Sequence, residues 1–215
     1  MRIGLVLGGD APTPSDLKLL DACDEVVACD AGAHSLLEAE RPPNVIVGDL
    51  DSLDPEAYKW ADALDIPIQR HPEKKDLTDG ELALNVVLEK NPTGVIILGG
   101  HGGRTAMFLA NLRLLRRCHE AGLEALMHGR GESIRFVSAG GELNLTGRTG
   151  STLNVLPLDG DASVTLSGTE WEVQEEKLAY GSCRGVSNEI TADGATVRVH
   201  DGTVLVVTEM PSDDS

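Results

Sequence analysis

Short apolar runs alternate with segments of helical period up to about residue 129. Ile3–Leu7, Glu25–Cys29, Val45–Val47, Pro67–Gln69, Val95–Leu98 and Glu124–Met127 read as strands. Ser15–Ala22, Ala33–Glu40, Pro55–Leu64, Glu81–Glu89 and Thr105–Ala121 read as the helices between them. The last of these is the clearest: Leu109, Leu112 and Leu115 with Arg113 and Arg116 recur at the 3.6 period and are expected to divide apolar from basic faces, and Gly122 supplies a stop. Strand–helix alternation predicts an α/β unit, a Rossmann-like parallel sheet with flanking helices, over residues 1–129.

Beyond that point the period changes from helical to two. Ser133–Val137, Leu143–Leu145, Leu153–Leu156, Ser163–Leu166, Ala195–Val199 and Thr203–Val207 alternate apolar and polar positions, with Gly and Asp between them. This texture predicts an antiparallel β-sandwich over residues 130–215. Asp201-Gly202 lies between two alternating runs and is expected to form a tight hairpin turn.

Composition adds exclusions. With 215 residues, 41% of them hydrophobic and 25% charged, the chain can build a core, which a disordered chain cannot. No run approaches the length of a membrane span. The apolar start reaches Asp10 too early for a signal peptide. Lys and Arg number 18 against 35 Asp and Glu, a net charge of -17, so no basic footprint for nucleic acid is expected. Cys23, Cys29, Cys118 and Cys183 form no C-x-x-C pair and are expected to be free, buried thiols of a reducing cytoplasm.

Ligands of a parallel sheet bind beyond the carboxyl ends of its strands. The segments expected there are rich in acids and glycines: Gly8-Gly9-Asp10, Asp30-Ala31-Gly32, Gly48-Asp49-Leu50-Asp51-Ser52, Lys75-Asp76-Leu77-Thr78-Asp79 and Gly99-Gly100-His101-Gly102-Gly103-Arg104. Asp49 and Asp51, with Asp76 and Asp79, have the hard oxygen donors that Mg²⁺ takes. Part of this pattern also serves helix starts. Ser52 or Asp54 can cap the helix opening at Pro55, and Thr78 with Glu81 matches a capping box. The glycine-rich loop can present backbone N–H groups to an anion or simply make a tight turn; Arg104 favours phosphate. His101 reads equally as a solvent-facing loop residue or a catalyst. Acids for a cation, an anion loop and an arginine together point to Mg²⁺-dependent chemistry on a nucleotide.

In order and spacing, Asp30-Ala31-Gly32, Val47-Gly48-Asp49-Leu50-Asp51-Ser52, Lys75-Asp76-Leu77-Thr78-Asp79 and the glycine-rich loop with Leu109-Ala110-Asn111-Leu112 resemble the thiamine pyrophosphokinase (thiamine diphosphokinase) family. Gly168-Thr169-Glu170-Trp171 is similar to its G-L-x-W/Y segment, and Gly185-Val186-Ser187-Asn188-Glu189 to its G-x-S-N-E segment. The resemblance implies an ATP-Mg-binding catalytic domain at 1–129 and a thiamine-binding domain at 130–215. It implies transfer of diphosphate from ATP to the thiamine hydroxyl by a cytoplasmic homodimer. It places Asp49, Asp51, Asp76 and Asp79 on Mg²⁺ and gives Asp49, Asp51, Asp79 and Arg104 the catalytic work. Asp30, Gly32, Lys75, Gly100, Gly102, Gly103 and Arg104 would meet ATP. Trp171, Ser187 and Asn188 would meet thiamine in a pocket between subunits. Two adjacent positions depart from the family pattern G-G-R-x-D-H/Q, since Ala106-Met107 stand for the acid and its polar neighbour. That departure gives weight to reduced activity or a non-catalytic nucleotide- or thiamine-binding homologue; a related pterin-alcohol diphosphokinase is the other alternative.

Overall fold

A computed structural model describes residues 1–49, 55–72 and 76–211. The chain divides into two compact units, Met1–Arg130 and Gly131–Ser215.

The first unit carries β1 (Arg2–Val6), α1 (Pro14–Leu17), a 3-10 turn (Lys18–Ala22), β2 (Glu25–Cys29), α2 (Gly32–Glu38), β3 (Val45–Gly48), α3 (Pro55–Ala63), β4 (Ile68–Arg70), α4 (Asp79–Glu89), β5 (Gly94–Leu98), α5 (Thr105–Glu120) and β6 (Glu124–Gly129). Its strands lie in the order β6-β5-β1-β2-β3-β4, and every pair is parallel. Strands buried on both faces need near-continuous apolar sequence, and Val45–Gly48 and Gly94–Leu98 are buried throughout. Val6, Val26, Ala28, Ile46, Ile96 and Leu98 form one core with Leu20, Leu36, Ala57 and Ala61 from the 14–22 segment, α2 and α3. The alternate residues Leu5, Val27, Val95 and Ile97 are equally buried and point to the opposite face, where α4 packs on the sheet and against α5.

The helix expected over 15–22 is a short α-turn followed by a 3-10 turn. Thr13 and Asp16 close a capping box at its start, with Pro14 at the first helical position. The connections also create a switch point. From β1 the chain moves through β2 and β3 to β4, then crosses back to β5 on the other side of β1.

The second unit carries β7 (Glu132–Ser138), β8 (Glu142–Asn144), β9 (Thr152–Pro157), β10 (Ala162–Ser167), β11 (Val173–Leu178), β12 (Asn188–Glu189), β13 (Thr196–Asp201) and β14 (Thr203–Glu209). They form two antiparallel sheets, β12-β9-β14-β7 and β11-β10-β13-β8. Val137, Leu153, Val155, Val204 and Val206 of the first share a core with Val164, Leu166, Val197 and Val199 of the second; the unit is a sandwich. The hairpin expected at Asp201-Gly202 does not form. β13 pairs with β8 and β10, whereas β14 pairs with β7 and β9. Gly202, at φ 75°, turns the chain from one sheet into the other, and a Cβ there would lie 2.6 Å from the Asp161 carbonyl oxygen. Period-two alternation identifies strands on either side of a turn but not whether they pair with each other.

All four cysteines are free. Cys29 and Cys118 are buried and Cys23 is half-buried, but Cys183 is exposed, against expectation. Burial pushes the Cys118 thiol up to about 12.

Candidate active site

Three carboxylates converge at the carboxyl ends of β2 and β3. Asp30 follows β2, Asp49 follows β3, and Asp79 opens α4. One oxygen from each lies within 4.8 Å of the others. Asp30 is buried and takes a left-handed backbone conformation, φ 42°, while its N–H donates to the Val47 carbonyl at 3.1 Å. Its carboxylate fits only because residue 48 is glycine: a Cβ at Gly48 would fall 1.6 Å from Asp30 Oδ1. Gly32 has a parallel role, since a Cβ there would lie 2.2 Å from the Val6 carbonyl oxygen and push α2 off β1. Asp79 is fixed by the cap around it. Thr78 Oγ1 accepts from the Glu81 N–H at 3.2 Å, and Glu81 Oε2 accepts from the Thr78 N–H at 2.9 Å.

Three carboxylates this close repel one another unless positive charge joins them. Their all-oxygen donor set suits a hard divalent cation, and the missing side chain at Gly48 leaves the room that the Asp30 carboxylate occupies. Asp51 and Lys75, both expected at this site, lie outside the described residues. Asp76 is exposed and not part of the cluster. Asp30, expected as an ATP-facing acid, is part of it.

The glycine-rich loop follows β5. Gly99, Gly102 and Gly103 have φ of 65°, 82° and 63°, a region that favours glycine. A Cβ at Gly99 would sit 2.1 Å from the Leu7 carbonyl oxygen, and one at Gly102 1.7 Å from Asp10 Oδ1. Asn111 of α5 reaches back and donates to the Gly100 carbonyl at 2.9 Å. Arg104 is exposed and precedes α5 without capping it by its side chain. The loop therefore delivers backbone N–H groups, a helix N-terminus and a guanidinium together, a combination that suits phosphate. His101 is neither solvent-facing nor beside the acid cluster's strands: it is buried and stacks on Phe108 with ring centroids 5.3 Å apart. Ala106 and Met107 are both exposed on the first turn of α5.

In the sandwich, Trp171 is 58% exposed, an unusual position for an indole. Asn188, buried, holds its backbone on both sides. Oδ1 accepts from Trp171 N–H at 3.0 Å and from Glu189 N–H at 2.9 Å, while Nδ2 donates to the Trp171 carbonyl at 3.0 Å. Asn188 thus holds the Trp171 backbone in position. Ser187, at φ 61°, donates its N–H to Asn154 Oδ1 at 2.9 Å, and Asn154 Nδ2 donates to Glu209 Oε1 at 2.8 Å. Sequence reasoning missed Asn154; an isolated polar residue inside the alternating run 152–157 was the available signal.

Residues 17–127 match the family model for the thiamin pyrophosphokinase catalytic domain, and residues 142–204 match the model for the thiamin pyrophosphokinase vitamin B1 binding domain. The chain belongs to the thiamin pyrophosphokinase family. The acid cluster falls in the first matched segment, and Asn154, Trp171 and Ser187 in the second. A thiamine pyrophosphokinase of Bacillus subtilis (strain 168) is 25% identical over 207 residues, spanning 95% of this chain and 97% of that protein. Thiamine pyrophosphokinase 1 of Oryza sativa subsp. japonica is 25% identical over 194 residues, spanning 82% and 72%. Among solved structures, a thiamin pyrophosphokinase from Geobacillus thermodenitrificans superposes with a TM-score of 0.84 at 26% identity, covering 100% of this chain and 99% of that one. This family's two-part architecture, a largely parallel sheet with helices and a separate antiparallel sheet, is the one described above. Among the described residues no helix is long and apolar enough to cross a membrane.

Proposed function

We propose that this chain is a thiamine diphosphokinase, transferring diphosphate from ATP to the hydroxyl of thiamine and releasing AMP. Family membership over both units supports the reaction. The observation that carries the site is the convergence of Asp30, Asp49 and Asp79 at the carboxyl edge of the parallel sheet.

In this reading the three acids, with Asp51, hold Mg²⁺. The ion, when bound, offsets negative charge on the phosphate oxygens. The chain's own groups do the rest. Backbone N–H groups of Gly100, Gly102 and Gly103 and the Arg104 guanidinium orient the phosphates and take up charge as it spreads in the transition state. Asp30 reinforces Asp49 from beneath. In the sandwich, Trp171 and Ser187 present an aromatic face and a hydroxyl to thiamine, held by Asn188 and Asn154. The protein works as a homodimer in the cytoplasm; four free cysteines suit that compartment, and a net charge of -17 argues against nucleic acid as a partner.

The test is direct: purified protein, ATP, MgCl₂ and thiamine, with AMP and thiamine diphosphate followed by chromatography. Equal formation of both establishes the reaction. Thermal protection by ATP-Mg²⁺ or thiamine without AMP would reassign the chain as a binding protein, and turnover only with a pterin alcohol would reassign its acceptor. Ala106→Asp restores the acid of the family pattern, and sedimentation velocity reads the dimer.

A further inference from the structure

At one end of the sandwich core an arginine sits among hydroxyls instead of acids. Ser133 of β7 and Thr208 of β14 are cross-strand partners, and Thr208 also stands opposite Leu153 of β9. Side chains two residues apart on a strand share a face. Ser133, Ser151 and Thr208 therefore continue the inward rows that carry Val137, Leu153 and Val206. Each of the three is 1% exposed. The loop 145–151 brings Arg148 over them, half-buried. Arg148 Nη1 donates to Met210 Sδ at 3.0 Å, and Nη2 to Ser133 Oγ at 3.4 Å.

Two groups there lack a suitable partner. Thr208 Oγ1 is buried and has no hydrogen-bond partner among the described residues. No carboxylate among the described residues pairs with Arg148, although the chain has 35 Asp and Glu against 18 Lys and Arg. A thioether is a weak acceptor for a guanidinium. Buried hydroxyls and charges are normally partnered, and one left over marks a place for a water or an ion. Charge decides between the two. The guanidinium supplies only donors, and both hydroxyls can turn their hydrogens the same way. An anion accepts from all three at once and offsets the positive charge. Glu132 and Glu209, next in sequence to Ser133 and Thr208, fall on the opposite face, where Glu209 Oε1 accepts from Asn154 Nδ2 at 2.8 Å. Arg135, opposite Val206 on the inward row, adds a second positive charge to this side.

Size narrows the anion. Residues directly opposite in an antiparallel pair hold their Cβ atoms about 5 Å apart, and Ser133 and Thr208 are such a pair. Two nearly inaccessible hydroxyls under one guanidinium suit a single spherical ion. A phosphate dianion brings four oxygens and two charges to donors that match one.

We infer that Arg148, Ser133 and Thr208 form a binding site for one small monovalent anion of the chloride class, which ties the loop 145–151 to the end of β14. The site is independent of the diphosphokinase reading. The experiment is the chloride NMR line width of sodium chloride solutions of the full-length protein. Wild type should broaden the line saturably, and bromide should compete. Arg148→Gln should lose most of the broadening. Arg104→Gln, which alters the glycine-rich loop's anion site, should keep it. Thr208→Val should weaken chloride about tenfold, the worth of one hydrogen bond to a charged group. Urea unfolding at constant sodium, with gluconate replacing chloride, gives an independent reading that serves if Arg148→Gln fails to fold. Wild type should be more stable in chloride. Thr208→Val deletes an unpartnered hydroxyl, so it should be at least as stable as wild type in gluconate and gain less from chloride. Broadening lost in Arg104→Gln but kept in Arg148→Gln, or wild-type stability equal in chloride and gluconate, overturns the inference.

Discussion

Gly48→Ala adds one methyl group and removes no functional one. Residue 48 has φ 157°, a conformation that L side chains rarely adopt, so alanine strains the backbone as well. The clash is with Asp30. The new carbon would stand 1.6 Å from Oδ1, and ordinary contact begins at 3.4 Å, so the carboxylate must retreat by about 1.8 Å. Asp30 is buried, which leaves it little space. Misplacing a reacting constellation by about 1 Å costs roughly 10²-fold, so kcat/KM should fall by about that factor, equal to about 2.7 kcal/mol of transition-state stabilisation. Overpacking and backbone strain should each lower stability by about 1–3 kcal/mol. The assay is the initial rate of AMP formation across a Mg²⁺ titration, beside a thermal melt of the same samples. Half-saturation should move to higher Mg²⁺ while the protein stays folded. A folded Gly48→Ala protein with kcat/KM within threefold of wild type and an unshifted Mg²⁺ curve would refute Asp30 as part of the cation site.

Asn188→Ala removes three hydrogen bonds around Trp171; urea unfolding should show a loss of about 1–3 kcal/mol, and KM for thiamine should rise while KM for ATP holds. Burial, aided by Arg116, holds the His119 imidazole below its ordinary 6.5. The unfolded chain therefore binds more protons between 6.5 and that lower value, so stability falls as pH drops through this window and levels off below it. Equilibrium unfolding at a series of pH values should show this slope in wild type and a smaller one in His119→Gln. A thiol reagent at pH 8 should modify Cys183 fast and Cys118 only on unfolding, since the latter is buried with its thiol pushed up to about 12; rapid labelling of Cys118 in native protein, read by peptide mapping, would contradict this.

The parallel half was legible because its four central strands, β5, β1, β2 and β3, are buried on both faces and read as continuous apolar runs, each ending in the acids or glycines of an edge loop. The sandwich was legible only where alternation was clean. Val173–Leu178 was missed because it is the edge of its sheet, carries Glu175, Glu176 and Lys177, and shifts register opposite Val164–Leu166. Asn188–Glu189 is too short to show any period. At the site, Asp49 and Asp79 could be named from sequence, but the depth of Asp30 and its place beside them could not. That closeness depends on Gly48 having no side chain, and absence of a side chain says nothing about which neighbour fills the space. The two asparagines of the sandwich show the same limit from the other side. Asn188 stood out as a ligand contact through its motif, and its partners turned out to be backbone.

The cap around Asp79 ties chemistry to the least secure part of a helix. First turns fray before helix interiors do, and here the first turn of α4 carries one of the three acids between the two residues that pin it, Thr78 and Glu81. Opening that single turn would dissolve the cation site while β1, β2 and β3 stayed paired. Turnover should therefore disappear at lower urea than the sheet itself, and amide exchange at residues 79–81 should set the ceiling on how long the site persists. Selection for catalysis would then act on Thr78 and Glu81 as strongly as on Asp79, although neither needs to touch a substrate.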